Sequence, residues 1–331
     1  MNEVIPGVYQ LQLPLPNPAL EYVNTYLVRG DNKCLLIDTG WNTKQAFDSL
    51  KKQLDEIGID FQNISEIVIT HIHPDHYGLA GRLKSLSNAQ LYLHELEKDF
   101  IKSRYVNMDE LLQQLEQWLQ VNGVPASELS ELQTASVQMK KFVDPVPPDI
   151  TLHGDETISI GSFSFKVLWT PGHSPGHISL YEPTQKILIS GDHILPTITP
   201  NIGLHPQSSV NPLGDYLNSL NGLKQLEVNL ILPGHEKPFS GLQQRIEELL
   251  CHHNQRNSEI LETIKAKPKT AYQIATEITW MADINGVGWQ KLAPWDKRMA
   301  VLETLAHLES MRFGDKLDKF SRDGTIYYQL T

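Results

Sequence analysis

The chain has 331 residues, 40% of them hydrophobic and 20% charged, with 28 basic against 39 acidic side chains and a net charge of −11. That is the composition of a globular chain with a large core, and its acidity excludes a protein built mainly to coat phosphate backbones. Only Cys34 and Cys251 are present, so there is neither a disulfide framework nor a cysteine zinc cluster. With no basic and apolar leader after Met1 and no apolar run near the roughly 20 residues of a bilayer span, a cytoplasmic location and no membrane partner are expected.

In chain order, β-rich runs at Val8 to Leu13, Thr25 to Val28 and Cys34 to Ile37 predict strands, and Thr43 to Ile57 predicts an amphipathic helix. Ile64 to Thr70 predicts a further strand whose apolar run stops at His71 in a polar turn, before a helical pattern resumes near Tyr77. From Glu95 to Phe142 apolar residues such as Leu111, Leu115, Trp118 and Leu119 recur at helical spacing. This helical insertion is expected to fold over a cleft as a cap, with Lys102, Arg104 and Tyr105 as candidate contacts for an anionic substrate; the alternative is that its apolar stripe is core. Strand patterns return at Glu156 to Ile160, Phe163 to Trp169, Ile178 to Tyr181 and Lys186 to Ser190, and Pro196 to Pro212 reads as a long irregular loop. After a boundary near Phe239 to Gly241, helices are expected at Leu242 to Lys265, Ala271 to Ile278 and Arg298 to Met311. A hairpin around Asp323-Gly324 follows, which together describes a winged helix. The expected division is a catalytic domain over 1–240, interrupted by the insertion at 95–142, and a winged-helix-like domain over 241–331.

The chemistry concentrates in a few turns. His71-Ile72-His73-Pro74-Asp75-His76 places three imidazoles and a carboxylate in six residues at a strand end. In extended chain His71 and His73 point the same way, while Asp75 and His76 begin the next turn, so one loop can feed two adjacent metals. Thr170-Pro171-Gly172-His173, Ser190-Gly191-Asp192 and Leu232-Pro233-Gly234-His235 each follow a strand-like run. Together they offer His71, His73 and His173 to one metal and Asp75, His76 and His235 to the other, with Asp192 as the bridge. The donors are all nitrogen or oxygen, which suits two divalent ions, zinc first, with iron or manganese as alternatives. Asp38 is expected either to orient a ligand imidazole or to cap the following helix. Tyr77, His193 and His205 are candidate substrate contacts. His177, four residues after His173, could exchange the ligand role with it, and His94, His153, His252, His253 and His307 are expected to lie on the surface or in packing. Lys265, Lys267 and Lys269 form a small basic cluster, which a solvated helix end explains equally well.

These motifs, led by His-x-His-x-Asp-His at His71 to His76, resemble those of the metallo-β-lactamase-fold hydrolase superfamily, from about Gly7 to Gly241. The resemblance implies an α/β fold, a four-layer αβ/βα sandwich with a two-metal cleft along one edge. Asp192 stands where class B β-lactamases often carry cysteine, which speaks against antibiotic hydrolysis and resembles the glyoxalase II, RNase Z and lactonase branches. It implies a metal-dependent hydrolase that uses a metal-bridging hydroxide, with Asp75 orienting the nucleophile and passing a proton to the leaving group, or acting as a ligand alone.

Two dications, two aspartates and a hydroxide leave about +1 in the cleft, which favours an anionic or polarised substrate, and the acidity of the chain and the helical cap point to a small ester, thioester or lactone. The alternatives are RNA phosphodiester hydrolysis, because a hydrolase followed by a winged helix resembles a group that includes a mitochondrial endoribonuclease, and a mononuclear-iron persulfide dioxygenase. Residues 241–331 carry 12 basic and 12 acidic side chains, so nucleic acid is not the favoured partner. Packing on the catalytic domain or homodimerisation are the roles expected of that region instead.

Overall fold

The structure is a computed structural model that describes residues 1–15, 20–134, 137–280 and 286–331. Its first sheet has seven strands in chain order: β1 (Asn2–Ile5), β2 (Val8–Pro14), β3 (Tyr22–Arg29), β4 (Cys34–Ile37), β5 (Ile64–Val68), β6 (Gln90–His94) and β7 (Ile150–Leu152). The first four pair antiparallel and the rest parallel. The second sheet holds β8 (Thr157–Ile160), β9 (Phe163–Trp169), β10 (Ile178–Glu182), β11 (Ile187–Gly191) and β12 (Leu230–Pro233), in the order β12-β11-β10-β9-β8. A two-stranded hairpin, β13 (Leu317–Arg322) with β14 (Thr325–Leu330), lies at the C-terminus.

Alternation along the strands explains the layers. Leu35 and Ile37 of β4, Val68 of β5, Ile178 and Leu180 of β10, and Ile187 and Ile189 of β11 meet in one core between the sheets. Their neighbours Cys34, Leu36 and Ile67 face outward with Ala46, Leu50 and Leu54 of α1 (Lys44–Glu56). Thr43 caps that helix by accepting the Ala46 N–H at 3.1 Å. On the other side, Tyr181, Leu188 and Ile231 of the second sheet bury against α7 (Pro212–Leu223) and α8 (Leu242–Ile264). The result is the helix, sheet, sheet, helix sandwich that the sequence implied. The short strands β1, β6 and β7 were not foreseen, since segments this short give little periodicity, and neither was helix α7, which begins at Pro212 where the long proline-rich stretch ends.

The first sheet connects through α2 (Pro74–Tyr77), α3 (Ala80–Ser87) and α4 (Glu95–Lys98), and the insertion continues through a π-helical turn at Lys102–Val106 into α5 (Asp109–Val121) and α6 (Ala126–Thr134). Its apolar stripe follows the alternative reading and is core. Leu115, Leu119, Leu129 and Leu132 share one hydrophobic core with α8, α9 (Ala271–Glu277) and α10 (Pro294–Phe313). Burying the stripe against other apolar helices removes more surface from water than a lid over a polar site could.

Among the described residues the C-terminal segment thus has three α-helices, a short 3-10 turn at Trp289–Lys291 and a small sheet, packed on the outer face of the second sheet. Two lysines of its small basic cluster are occupied: Lys269 is ion-paired with Glu277 and its backbone bridges Tyr328, and Lys265 is ion-paired with Glu262. Among the described residues no helix is long and apolar enough to cross a membrane.

The four-residue helix α2 could not stand alone. Thr39 donates its N–H and hydroxyl to the His76 carbonyl at 2.7 and 2.8 Å, Leu79 N–H donates to Gly40, and Asp144 N–H donates to Gly78. A Cβ on Gly78 would lie 2.5 Å from the Phe142 carbonyl oxygen and 2.7 Å from that of Gly40. Gly78→Ala is therefore expected to cost about 1–3 kcal/mol by overpacking. A thermal melt checks this: the variant should unfold at a clearly lower temperature than wild type, and coincident melts would show that the loop yields.

Candidate metal centre

The ligand-type side chains leave the ends of β5, β9, β11 and β12 at one edge between the sheets. After β5 the chain carries Thr70, His71 and His73, and Pro74 opens α2 with Asp75 and His76. His71 Nε2 lies 2.9 Å from His73 Nδ1, which lies 3.0 Å from His173 Nε2. His235 Nε2 lies 3.3 Å from Asp75 Oδ2 and 3.4 Å from Asp192 Oδ2, and His76 Nε2 lies 3.3 Å from Asp192 Oδ1. Asp192 Oδ2 is also 3.8 Å from His173 Nε2, so this carboxylate stands between the two groups. Three sets of donor atoms lie within 4.8 Å of one another: His71, His73 and His173; His71, His76 and Asp192; and Asp75, His76 and His235. The seven ligand candidates are brought together.

Four of the rings are fixed through their other nitrogen. His71 Nδ1 is 3.1 Å from Thr70 Oγ1, His173 Nδ1 is 2.9 Å from the Asn201 carbonyl, and His235 Nδ1 is 3.2 Å from the Tyr22 carbonyl. His76 Nδ1 lies 2.7 Å from Asp38 Oδ2, while Asp38 Oδ1 accepts the Thr70 N–H at 2.8 Å. Asp38 holds a left-handed backbone, φ 62°, which L-residues rarely adopt. It does not cap α1, where Thr43 does. His177 accepts the Asp192 N–H at 3.2 Å, a structural role that steadies the carboxylate.

Charge is concentrated here. Burial and the neighbouring imidazoles push His71 and His73 well below the ordinary histidine range, so both rings stand neutral and able to ligate. Burial alone would raise Asp75, but His76 and His235 outweigh it and hold the carboxyl at about 2. In return Asp192 and Asp75 overcome burial to lift His235 to about 10. The carboxylates therefore demand positive charge between them. His76 Nε2 and Asp192 Oδ1 are buried without a hydrogen-bond partner, the pattern expected of donors aimed at a shared cation. An all-nitrogen and oxygen donor set fits a divalent ion such as zinc, manganese or iron.

The family model of the metallo-beta-lactamase superfamily matches residues 19–235. The chain belongs to the metallo-beta-lactamase superfamily. A metallo-beta-lactamase family protein from Thermus thermophilus is 31% identical and superposes with a TM-score of 0.83 over 99% of this chain and 100% of its own. A beta-lactamase domain protein from Burkholderia ambifaria is 28% identical, with a TM-score of 0.84 over 100% and 94%. In Bacillus subtilis (strain 168) a protein named "Probable metallo-hydrolase YqjP" is 26% identical over 97% of each chain. These superfamily likenesses extend through the C-terminal helices.

Two expected substrate contacts are corrected. Tyr77 is fully buried and exchanges hydrogen bonds with the Val146 backbone, because its ring packs into the core outside the first sheet. His193 is also fully buried, its ring set between those of His177 and Tyr216 at 5.7 and 4.8 Å. His205 borders a small pocket with Gly172, His173, Ser208 and Asp215.

Three positioning groups escaped the sequence reading. Gly234 is one, since a Cβ there would lie 2.3 Å from Asp192 Oδ1. Buried Glu97 is another, accepting the Ile72 N–H at 3.0 Å and the Gly176 N–H at 2.7 Å and so tying the first motif to the His173 loop. The third is Glu303 of α10, which accepts from Asn201 Nδ2 at 2.8 Å, while Leu204 N–H donates to the Leu302 carbonyl. The C-terminal helix thereby holds the loop that fixes His173. An isolated glutamate in a helical pattern gave no signal of either role.

Burial pushes the Glu303 carboxyl up to about 7, against the pull of Arg256 and Asn201. The unfolded chain ionises first, so this group's contribution is favourable at low pH and is lost as pH rises from the ordinary glutamate range through about 7. Glu303→Gln keeps an acceptor for Asn201 and removes that slope. The melting temperature of wild type relative to E303Q should fall between about pH 5 and pH 8, and parallel profiles would contradict the assignment.

Proposed function

We propose that this metal-dependent hydrolase works with two adjacent divalent ions, zinc first, on a small anionic ester, thioester or lactone. The observation that carries the reading is the convergence of the three donor sets around Asp192, with buried His76 Nε2 and Asp192 Oδ1 lacking any other partner. His71, His73 and His173 would hold one ion and Asp75, His76 and His235 the other, with Asp192 shared. Ions bound there supply Lewis acidity and a water that ionises near neutral pH.

The chain's residues supply the rest. Asp192 fixes the spacing of the two halves, and Asp38, Thr70, Asn201 and Tyr22 fix the ligand rings. Asp75 is more open than Asp192, 18% against 10% exposed, and is the catalytic carboxylate placed to orient the nucleophile and hand its proton to the leaving group. Both cysteines are free, which suits a reducing cytoplasm.

Metal content per chain, measured on protein purified without added metal, together with turnover of thioester, lactone, phosphodiester and RNA substrates, tests the reading. Two zinc or manganese ions with ester or lactone turnover support it. A single iron with oxygen uptake on a persulfide overturns the dinuclear mechanism, and RNA cleavage without ester turnover overturns the substrate class. Asp192→Ala should lose at least one ion and activity by about a thousandfold or more, the scale of a metal-organised transition state. Full activity in D192A would refute the shared-carboxylate mechanism.

A further inference from the structure

We propose that Arg104 is the substrate's anion anchor, the residue that selects a hydrolysable acyl group carrying a carboxylate or phosphate. This rests on the hydrolase reading above and adds to it which group is recognised, and by what.

Arg104 lies in the π-helical turn Lys102–Val106, where Asn107 N–H reaches back to the Lys102 carbonyl at 2.8 Å. Such turns insert an extra residue and re-aim the side chains around it, and they concentrate at functional sites. The turn is docked on the metal loop by its next residue: the Tyr105 hydroxyl donates to the carbonyl of Ile72, between His71 and His73, at 2.6 Å. It is docked on the other wall by Gln207, which accepts from Arg104 Nε at 2.8 Å and donates to Ser103 Oγ at 2.7 Å. Gln207 N–H in turn donates to His205 Nδ1 at 3.2 Å, and His205 borders the pocket shared with His173. Arg104 is thus held between the first metal motif and the proline-rich loop at the edge of the cleft.

Only Nε of the guanidinium is used in this lashing. Nη1 and Nη2 have no protein acceptor among the described residues, whereas the nearby Lys140 is engaged by the Val106 carbonyl. Phe100 packs near the guanidinium at 5.5 Å and limits its swing. A planar fork with two unengaged donors, fixed at its stem, matches a carboxylate or phosphate oxygen pair. The charge is felt in the cleft: after burial, Arg104 is the largest influence holding His205 at about 3, so that ring stays neutral and adds no competing cation. Nearby Asp215 also lines the pocket wall, and would turn away an anion placed on that side, leaving the Arg104 side as the favourable one.

The experiment compares para-nitrophenyl butyrate with mono-para-nitrophenyl glutarate on the metal-loaded full chain, for wild type, Arg104→Met and Arg104→Lys. Wild type should favour the glutarate ester in kcat/KM. In R104M the ratio of glutarate to butyrate kcat/KM should fall about ten- to a hundredfold, the loss of a charge-assisted pair, and R104K should restore part of it as a point charge without the fork. A ratio that does not change in R104M overturns the proposal.

Calorimetric titration of glutarate into the same proteins separates this proposal from the hydrolase reading. Weaker glutarate binding in R104M alongside no turnover of either ester would uphold the anchor and refute the hydrolase. Equal glutarate binding in wild type and R104M would refute the anchor, whatever the turnover.

Discussion

The burial of carboxylates among imidazoles is the constraint on which the rest of this molecule depends. Asp38, Asp75 and Asp192 sit within a layer of histidines where water is largely excluded, and an unpaired charge there would cost several kcal/mol. Each carboxylate is therefore surrounded by donors, and each donor is set by a residue behind it. The fold must bring four strand ends to one edge before any of these pairs can form. Once they meet, the hydrogen bonds behind the rings stiffen the site, whose ligand atoms lie a few ångströms apart.

That stiffness comes from both sides of the sandwich. Asn24 and Tyr26 of the first sheet donate to the Pro233 carbonyl at 2.9 and 2.8 Å, and so hold the loop of His235, which belongs to the second sheet. Glu97 bridges the loops of His73 and His173 from beneath. The C-terminal helices contribute from outside, through Glu303 and Leu302 on the loop that carries Asn201. The region that looked like a separate appendage in sequence is thus part of the support of the ligand set. Its shared core with α5 and α6 explains why the similarity to full-length relatives continues through it.

Legibility differed sharply between elements. The strands β2, β4, β9 and β11, the helix α1 and the C-terminal hairpin were readable because alternation, helical spacing and the Asp323-Gly324 turn are local signals. The seven ligand candidates could be picked out because turns after apolar runs place side chains at strand ends. Tyr77 and His193 were misread for the opposite reason. Adjacency to a ligand in sequence says nothing about which side of the backbone a ring takes, and both rings turn into the core. Helix α2, too short to form by itself, follows only from the backbone bonds of Thr39, Leu79 and Asp144 to it and its flank.

The sequence by itself determined the superfamily, the sandwich and the seven residues offered to metal, since those rest on residue type, spacing and local periodicity. Tertiary structure alone decided how the donors group around Asp192, which nitrogen each histidine presents, and that the apolar stripe of the helical insertion packs into the C-terminal core. It also decided the supporting roles of Glu97, Asn201 and Glu303. These depend on distances between segments far apart in the chain. Such distances are fixed by the packing of layers, which no local pattern encodes.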